Sequence, residues 1–269
     1  MQARCELANN HSRGFFSGHF GRSRRAASQR GRCARTIPEA AACLLVHHAA
    51  LERGASMITL YDYLPSQNAY KVRLLLSHLR RPYRTKQVAI FDGEGQKKEF
   101  LAKSPTGAVP VLELEDGRVL TESNAILGYL AEGTAYLPTD TWERAQVSRW
   151  MYFEEDLIQN GLASLRHWTM TGKLARRSAE MIAAKQAVSR KTLQILDTWL
   201  ATRAFLTDSG YTIADMSVFA YVSRADEAGL PLTNYPAVNS WVARVRAQDG
   251  FLDTVHPYSI DPSSGSELP

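Results

Sequence analysis

The spacing of apolar positions changes once between Ile58 and Leu79. Ile58, Leu60, Tyr61 and Tyr63 form a β-prone run. Pro65 disfavours the helical conformation at Leu64 and closes that run. Beyond it Ala69, Val72, Leu75, Leu76 and Leu79 recur at helical spacing, with Ser66 where an N-cap belongs. The stretch predicts strand, turn and helix, with a hydroxyl at the helix N-terminus. Unpaired N–H groups and the helix dipole favour an anion there.

The pattern continues in the same terms. Pro82 to Ala89 predicts a second strand, and Lys97 to Ala102 a short helix that Ser104-Pro105-Thr106-Gly107 breaks. Val109 to Glu115 alternates as a strand, Asp116-Gly117 signals a hairpin, and Arg118 to Thr121 is its return. A helix then runs to Ala131 with Ser123 expected as its cap. The order β-α-β-α-β-β-α is that of a thioredoxin-like α/β domain, assigned to residues 57–133.

After a linker at 134–140 only helical patterns follow, which predicts an all-α helical-bundle domain over 141–258. Asp140-x-x-Glu143 reads as a capping box ahead of a long helix. Leu174 to Phe205 is mainly helical, and Thr212-x-x-Asp215 can cap a buried helix. Residues 259–269 read as a frayed, flexible tail.

Composition changes the picture at one end. Residues 1–56 hold nine arginines, no lysine and three acids, a net +6, so the rest of the 269-residue chain carries −1 of the formal +5. The basic character belongs to this leader, and the body gives no reason to expect nucleic acid. An organelle transit peptide and a basic binding tail both fit its charge. The favoured expectation is a disordered segment upstream of a natural start at Met57, and so a cytoplasmic protein. Cys5, Cys33 and Cys43 all lie in the leader. The body is therefore expected to carry neither a disulfide framework nor a cysteine-based metal site. No apolar run reaches membrane-spanning length, and His78, His167 and His256 are too scattered to suggest a metal.

Three motifs in order, Ser66-Gln67-Asn68 through Arg73, Gly107-Ala108-Val109-Pro110, and Thr121-Glu122-Ser123-Asn124 through Leu127, followed by helices, resemble the glutathione S-transferase family. Tyr211 to Ala220 and Tyr235 to Arg244 resemble its later helices. The resemblance spans 57 to about 258 and implies a homodimer with glutathione as co-substrate, no metal, and an electrophile as second substrate.

The resemblance implies Ser66 as the thiolate-activating residue, with Asn68 next and Tyr61 and Tyr63 as rivals. The chemistry is sufficient without a basic side chain. Lowering a thiol pKa from about 8.5 to about 6.5 needs ~2.7 kcal/mol. One charge-assisted hydrogen bond supplies roughly 1.5–3 kcal/mol, and a helix N-terminus adds ~0.3–1 kcal/mol. Val109, before an expected cis Pro110, is to pair with the cysteinyl backbone. Ser123 is to hold the γ-glutamyl carboxylate, and Glu122 the α-ammonium. Many members place a lysine where this chain has Ala108, so Lys97 or Lys98 is the candidate for the glycyl carboxylate. Tyr63, Leu64, Tyr152 and Trp168 are candidate walls of the second-substrate pocket, with Phe153 and Met170 also possible; Arg166 and His167 receive no role. Alternatives remain: glutathione-dependent disulfide or peroxide reduction, isomerase or dehalogenase chemistry, or a non-catalytic glutathione-binding or regulatory module.

Overall fold

A computed structural model describes residues 57–269, so the expectations for the leader lie outside the described residues. β1 (Thr59–Asp62) leads through the Pro65 turn into α1 (Gln67–His78), and β2 (Arg84–Gln87) returns parallel to β1. β3 (Val111–Glu113) pairs antiparallel with β1, and β4 (Val119–Leu120) with β3, giving the order β2-β1-β3-β4. The expected helix at 97–102 is a single turn, α2 (Lys98–Leu101). All four residues of β2 are exposed, and its Arg84 and Lys86 keep that edge charged.

The second half is helical: α3 (Ser123–Ala131) closes the α/β unit, then α4 (Thr141–Phe153) begins. The chain continues without a break through a π-helical segment, Glu154–Ala163, into α5 (Ser164–Met170). α6 (Ala179–Leu200), α7 (Ile213–Val222) and α8 (Pro236–Arg246) complete it. One core cluster spans both halves, joining Leu60, Leu75 and Leu127 to Val218, Phe219 and Trp241. Gly161 sits where this packing is closest: a Cβ there would lie 2.8 Å from Ser189 Oγ on α6.

Two cap expectations change. Asp140 caps α4 by accepting from Glu143 N at 3.0 Å, but the Glu143 carboxylate accepts instead from Ser209 N and Oγ. The box is thus half formed, because a loop offers two donors at once. Ser123 is the first residue of α3 rather than its cap, and its Oγ accepts from Lys71 Nζ at 3.3 Å.

The tail is not frayed. Residues 258–265 form two short turns, with Tyr258 and Ser264 buried. The Tyr63 hydroxyl donates to Asp261 at 2.8 Å, and Arg177 donates to both oxygens of Glu267 at 2.9 Å. Buried aromatic area and two charge-assisted contacts offset the entropy of ordering the end.

The Thr212–Asp215 box forms in full at the start of α7, which is buried on every side. Asp215 Oδ1 also accepts from Leu206 N at 3.0 Å and Trp241 Nε1 at 2.9 Å, and Oδ2 accepts from Thr212 N at 3.0 Å. Asp215→Ala leaves three buried N–H groups without this acceptor, at roughly 1–3 kcal/mol each before relaxation. Urea denaturation is expected to show a loss of about 3–5 kcal/mol. A loss below about 1 kcal/mol would refute this account of the buried helix start.

Candidate active site

Four chain segments meet at one cleft. The N-terminus of α1 brings Asn68, and the loop before β3 brings Ser104, Thr106, Ala108, Val109 and Pro110. The turn into α3 brings Thr121, Glu122 and Ser123, and the π segment adds Glu155. Each arrives for a local reason.

Ser66 caps α1, with Oγ accepting from Ala69 N at 3.2 Å. That bond uses an acceptor lone pair and leaves the O–H as a donor. Arg73 braces the turn from within α1, donating to Asp62 Oδ2 at 3.0 Å and to the Leu64 carbonyl at 2.9 Å. The Val109–Pro110 peptide bond is cis. Its loop is held against the preceding turn at Gly95 and Gly107. Each glycine comes so near the other's carbonyl that an added Cβ would lie 2.5 Å and 2.7 Å away. Gly107 also has φ +68°, so only glycine meets both demands.

Glu122 has φ +65°, the left-handed region, without being glycine. Such a conformation costs on the order of 1–3 kcal/mol and persists where surrounding structure imposes it. Here it places an exposed carboxylate at the cleft immediately before the buried Ser123. Burial, then the Glu154 and Glu122 carboxylates, raise the Glu155 carboxyl above its ordinary value. Two acidic groups and a helix N-terminus therefore share one end of the cleft, an arrangement that fits a zwitterion: a carboxylate for the helix start and an ammonium for the acids.

Beneath the cleft lies a buried polar network. Lys71 and Glu154, neither exposed, pair at 2.7 Å across the two halves of the molecule. Glu154 Oε2 also accepts from Asn124 Nδ2 at 3.1 Å and Ser217 Oγ at 3.3 Å. Glu154 Oε1 accepts from Gln159 Nε2 at 2.9 Å, and the same nitrogen donates to Asn68 Oδ1 at 2.6 Å. Sequence reading missed Glu154, Glu155 and Gln159. The available signal was Lys71 and Arg73 set among Ala69, Tyr70, Val72 and Leu74, since two cations inside a core require anionic partners.

Several expected site residues lie elsewhere. Tyr61 donates to Glu113 Oε2 at 2.6 Å, which ties up one rival for thiolate activation. Tyr63, the other, is buried under the tail and bonded to Asp261, so it is not a free pocket wall. Leu64 is half-buried in the braced turn. Tyr152 is 74% exposed and lines the adjoining groove between α3 and α4, with Tyr129, Val147 and Met151; that groove shares Glu122 and Glu155 with the cleft. Trp168 packs against the core with Arg177 over its ring, and Phe153 stacks edge-on with Trp150. Met170 is exposed at the end of α5. Lys97 lines a separate cleft around Tyr61 and Lys103, and Lys98 is exposed on α2. Among the described residues no group of three or more His, Cys, Asp or Glu could hold a metal ion. No described helix is long and apolar enough to cross a membrane.

The tail clamp sets one pH response. His167 stacks on Phe91 at 5.9 Å, meets Tyr258 edge-on, and lies 3.2 Å from Lys173 Nζ. Burial and then the Lys173 charge push its pKa down to about 4 from 6.5. Between those values the unfolded chain binds the proton and the folded one does not. This contribution to stability is complete above about pH 6.5 and is lost as the pH falls toward 4. Screening at a partly exposed ring limits it to about 1–2 kcal/mol. His167→Gln is expected to flatten the stability profile by that amount over this window in denaturant titrations. An unchanged slope would refute the assignment.

Residues 65–132 match the description "Glutathione S-transferase, N-terminal domain" and residues 158–249 "Glutathione S-transferase, C-terminal domain". A solved glutathione S-transferase from Pseudomonas fluorescens superposes with a TM-score of 0.71 at 36% identity, covering 73% of this chain and 98% of that one. Disulfide-bond oxidoreductase YfcG of Escherichia coli is 29% identical over 199 residues, 71% of this chain and 91% of the relative. Glutathione S-transferase GstB of the same species is 27% identical over 191 residues, 69% of this chain and 91% of the relative.

Proposed function

The chain belongs to the glutathione S-transferase family, and from that premise we propose that its cleft binds glutathione, stabilises the thiolate, and directs it at an electrophilic carbon. The observation that carries this reading is the convergence of Asn68, Val109–Pro110 and Glu122–Ser123 with Glu155 on one cleft at two helix starts. The γ-glutamyl carboxylate is held at the start of α3 by Ser123, and its α-ammonium by Glu122 and Glu155. The Val109 backbone pairs with the cysteinyl unit in the manner of an added strand. The sulfur then lies toward the start of α1, where the Ser66 hydroxyl and the Asn68 amide donate to it. In the chemical step the sulfur lone pair forms the new C–S bond while the leaving group departs with the bonding pair.

YfcG is described as a disulfide-bond oxidoreductase, and its similarity to this chain supports a second reading, reduction of a disulfide by the bound thiolate. Because the body has no cysteine, the resolving thiol in that chemistry comes from a second glutathione. The groove between α3 and α4, about 730 Å³ and rimmed by the exposed Tyr129 and Tyr152, is the proposed contact with a second copy in a homodimer.

The test is to titrate glutathione into the protein, record thiolate absorbance against pH, and then assay turnover. Ser66→Ala and Asn68→Ala are each expected to cut turnover about tenfold or more, the loss of one charge-assisted hydrogen bond, with glutathione affinity changed only a few-fold. Ser66→Ala also loses a helix cap, about 1 kcal/mol, and so about 2–4 °C in Tm. Undiminished turnover in both variants would remove these residues from the mechanism. No glutathione binding by the unaltered protein would overturn the reading.

A further inference from the structure

Asn68 can serve a thiolate only if its amide presents nitrogen, not oxygen, to the sulfur. The two ends of an amide are nearly the same shape, so a neighbour of fixed polarity must choose between them. The buried network provides one. The Glu154 carboxylate offers only acceptors and is held by Lys71 at 2.7 Å. The Gln159 atom 2.9 Å from Glu154 Oε1 must therefore be its nitrogen. That same nitrogen faces Asn68 at 2.6 Å, so the Asn68 atom it meets must be the oxygen. The Asn68 NH2 is what remains for the cleft that this residue lines.

The backbone makes this chain of contacts possible. Residues five apart on an α-helix point roughly 140° away from each other, given 3.6 residues per turn. Glu154 and Gln159 are five apart and bonded to each other because the segment that holds them is π-helical, with i→i+5 geometry. The wider turn brings a buried carboxylate and a half-buried amide onto one face directed at α1.

We infer that Gln159 is a positioning residue which, relayed from the Lys71–Glu154 pair, fixes Asn68 as a hydrogen-bond donor to the substrate sulfur. The inference rests on the reading of the cleft as a glutathione site. It assigns a role in the first half of the molecule to a side chain from the second. The relay transmits polarity and moves no proton.

The experiment compares the unaltered protein with Gln159→Leu, Gln159→Glu, Asn68→Ala and the Asn68→Ala/Gln159→Leu double variant. Two quantities are read: the pKa of the bound glutathione thiol from thiolate absorbance, and the affinity for S-methylglutathione, which has no thiol to ionise. Gln159→Leu removes the donor. Gln159→Glu offers Asn68 only acceptors and turns its NH2 away from the sulfur. Both are expected to raise the bound-thiol pKa by about one unit, a tenfold fall in the ratio of thiolate to thiol at a given pH. S-methylglutathione affinity is expected to stay within about threefold. Gln159→Leu is expected to add nothing in the Asn68→Ala background, since coupled residues are non-additive. An unchanged thiol pKa in both Gln159 variants overturns the inference, as does additivity in the double variant. An equal loss of S-methylglutathione binding also overturns it, because that is the mark of a merely structural residue. A normal thiol pKa in the unaltered protein would instead bring down the proposed function, and the relay with it.

Discussion

Much of this molecule depends on one buried ion pair. Lys71 and Glu154 are both fully removed from water, at a desolvation cost of several kcal/mol per ion, so neither is tolerable without the other. Their partnership fixes how the α/β half meets the helices. Lys71 is on α1, between the Ser66 cap and the core leucines; Glu154 opens the π segment. Around the pair, Ser123 Oγ accepts from the Lys71 ammonium, and Asn124 and Ser217 donate to the Glu154 carboxylate. The starts of α1 and α3, where the cleft forms, are thus tied to one charged centre. A hydrophobic substitute could fill the volume but could not specify this register.

Around that centre the chain accepts local strain. Glu122 holds a left-handed backbone, and the Gly95–Gly107 contact leaves no room for a side chain on either residue. Both features border the cleft, and neither improves the core. The fold offsets these costs elsewhere, in the box at Thr212–Asp215 and the fully buried Trp241. This division of labour is what binding sites built on rigid scaffolds require.

The parts of this arrangement that were legible in the sequence are the local ones. The Pro65–Ser66 turn, the Asp116–Gly117 hairpin and the Thr212–Asp215 box each depend on neighbours a few residues apart, so residue type alone revealed them. Asn68, Val109, Glu122 and Ser123 were singled out through the resemblance of their motifs to a family, and all four line one cleft. What escaped depends on direction. Ser123 read as a cap because its competing partner, Lys71, is 52 residues away. Glu154 and Gln159 share a face only on a widened helix turn, and an α-helical reading sends them apart. Tyr152 fits a pocket wall by type, and it lines not the cleft itself but the adjoining groove, which shares Glu122 and Glu155 with it. The tail escaped because Pro262 and its serines look like solvent-exposed chain, while its anchors, Tyr63 and Phe91, lie far back in sequence.

That tail also bears on the order of assembly. The Tyr63–Asp261 bond joins residues 198 apart, one just past the first strand and the other in the turns that follow α8. During synthesis the sheet and α1 can form while the helices are still being added, because domains generally fold as units from the N-terminal side. The turn before Ser66 cannot receive its clamp until Asp261 itself has emerged, after the whole of α8. The nascent chain therefore carries the corner around Ser66 with one wall missing, and that corner closes only after the helices of the second half have been made.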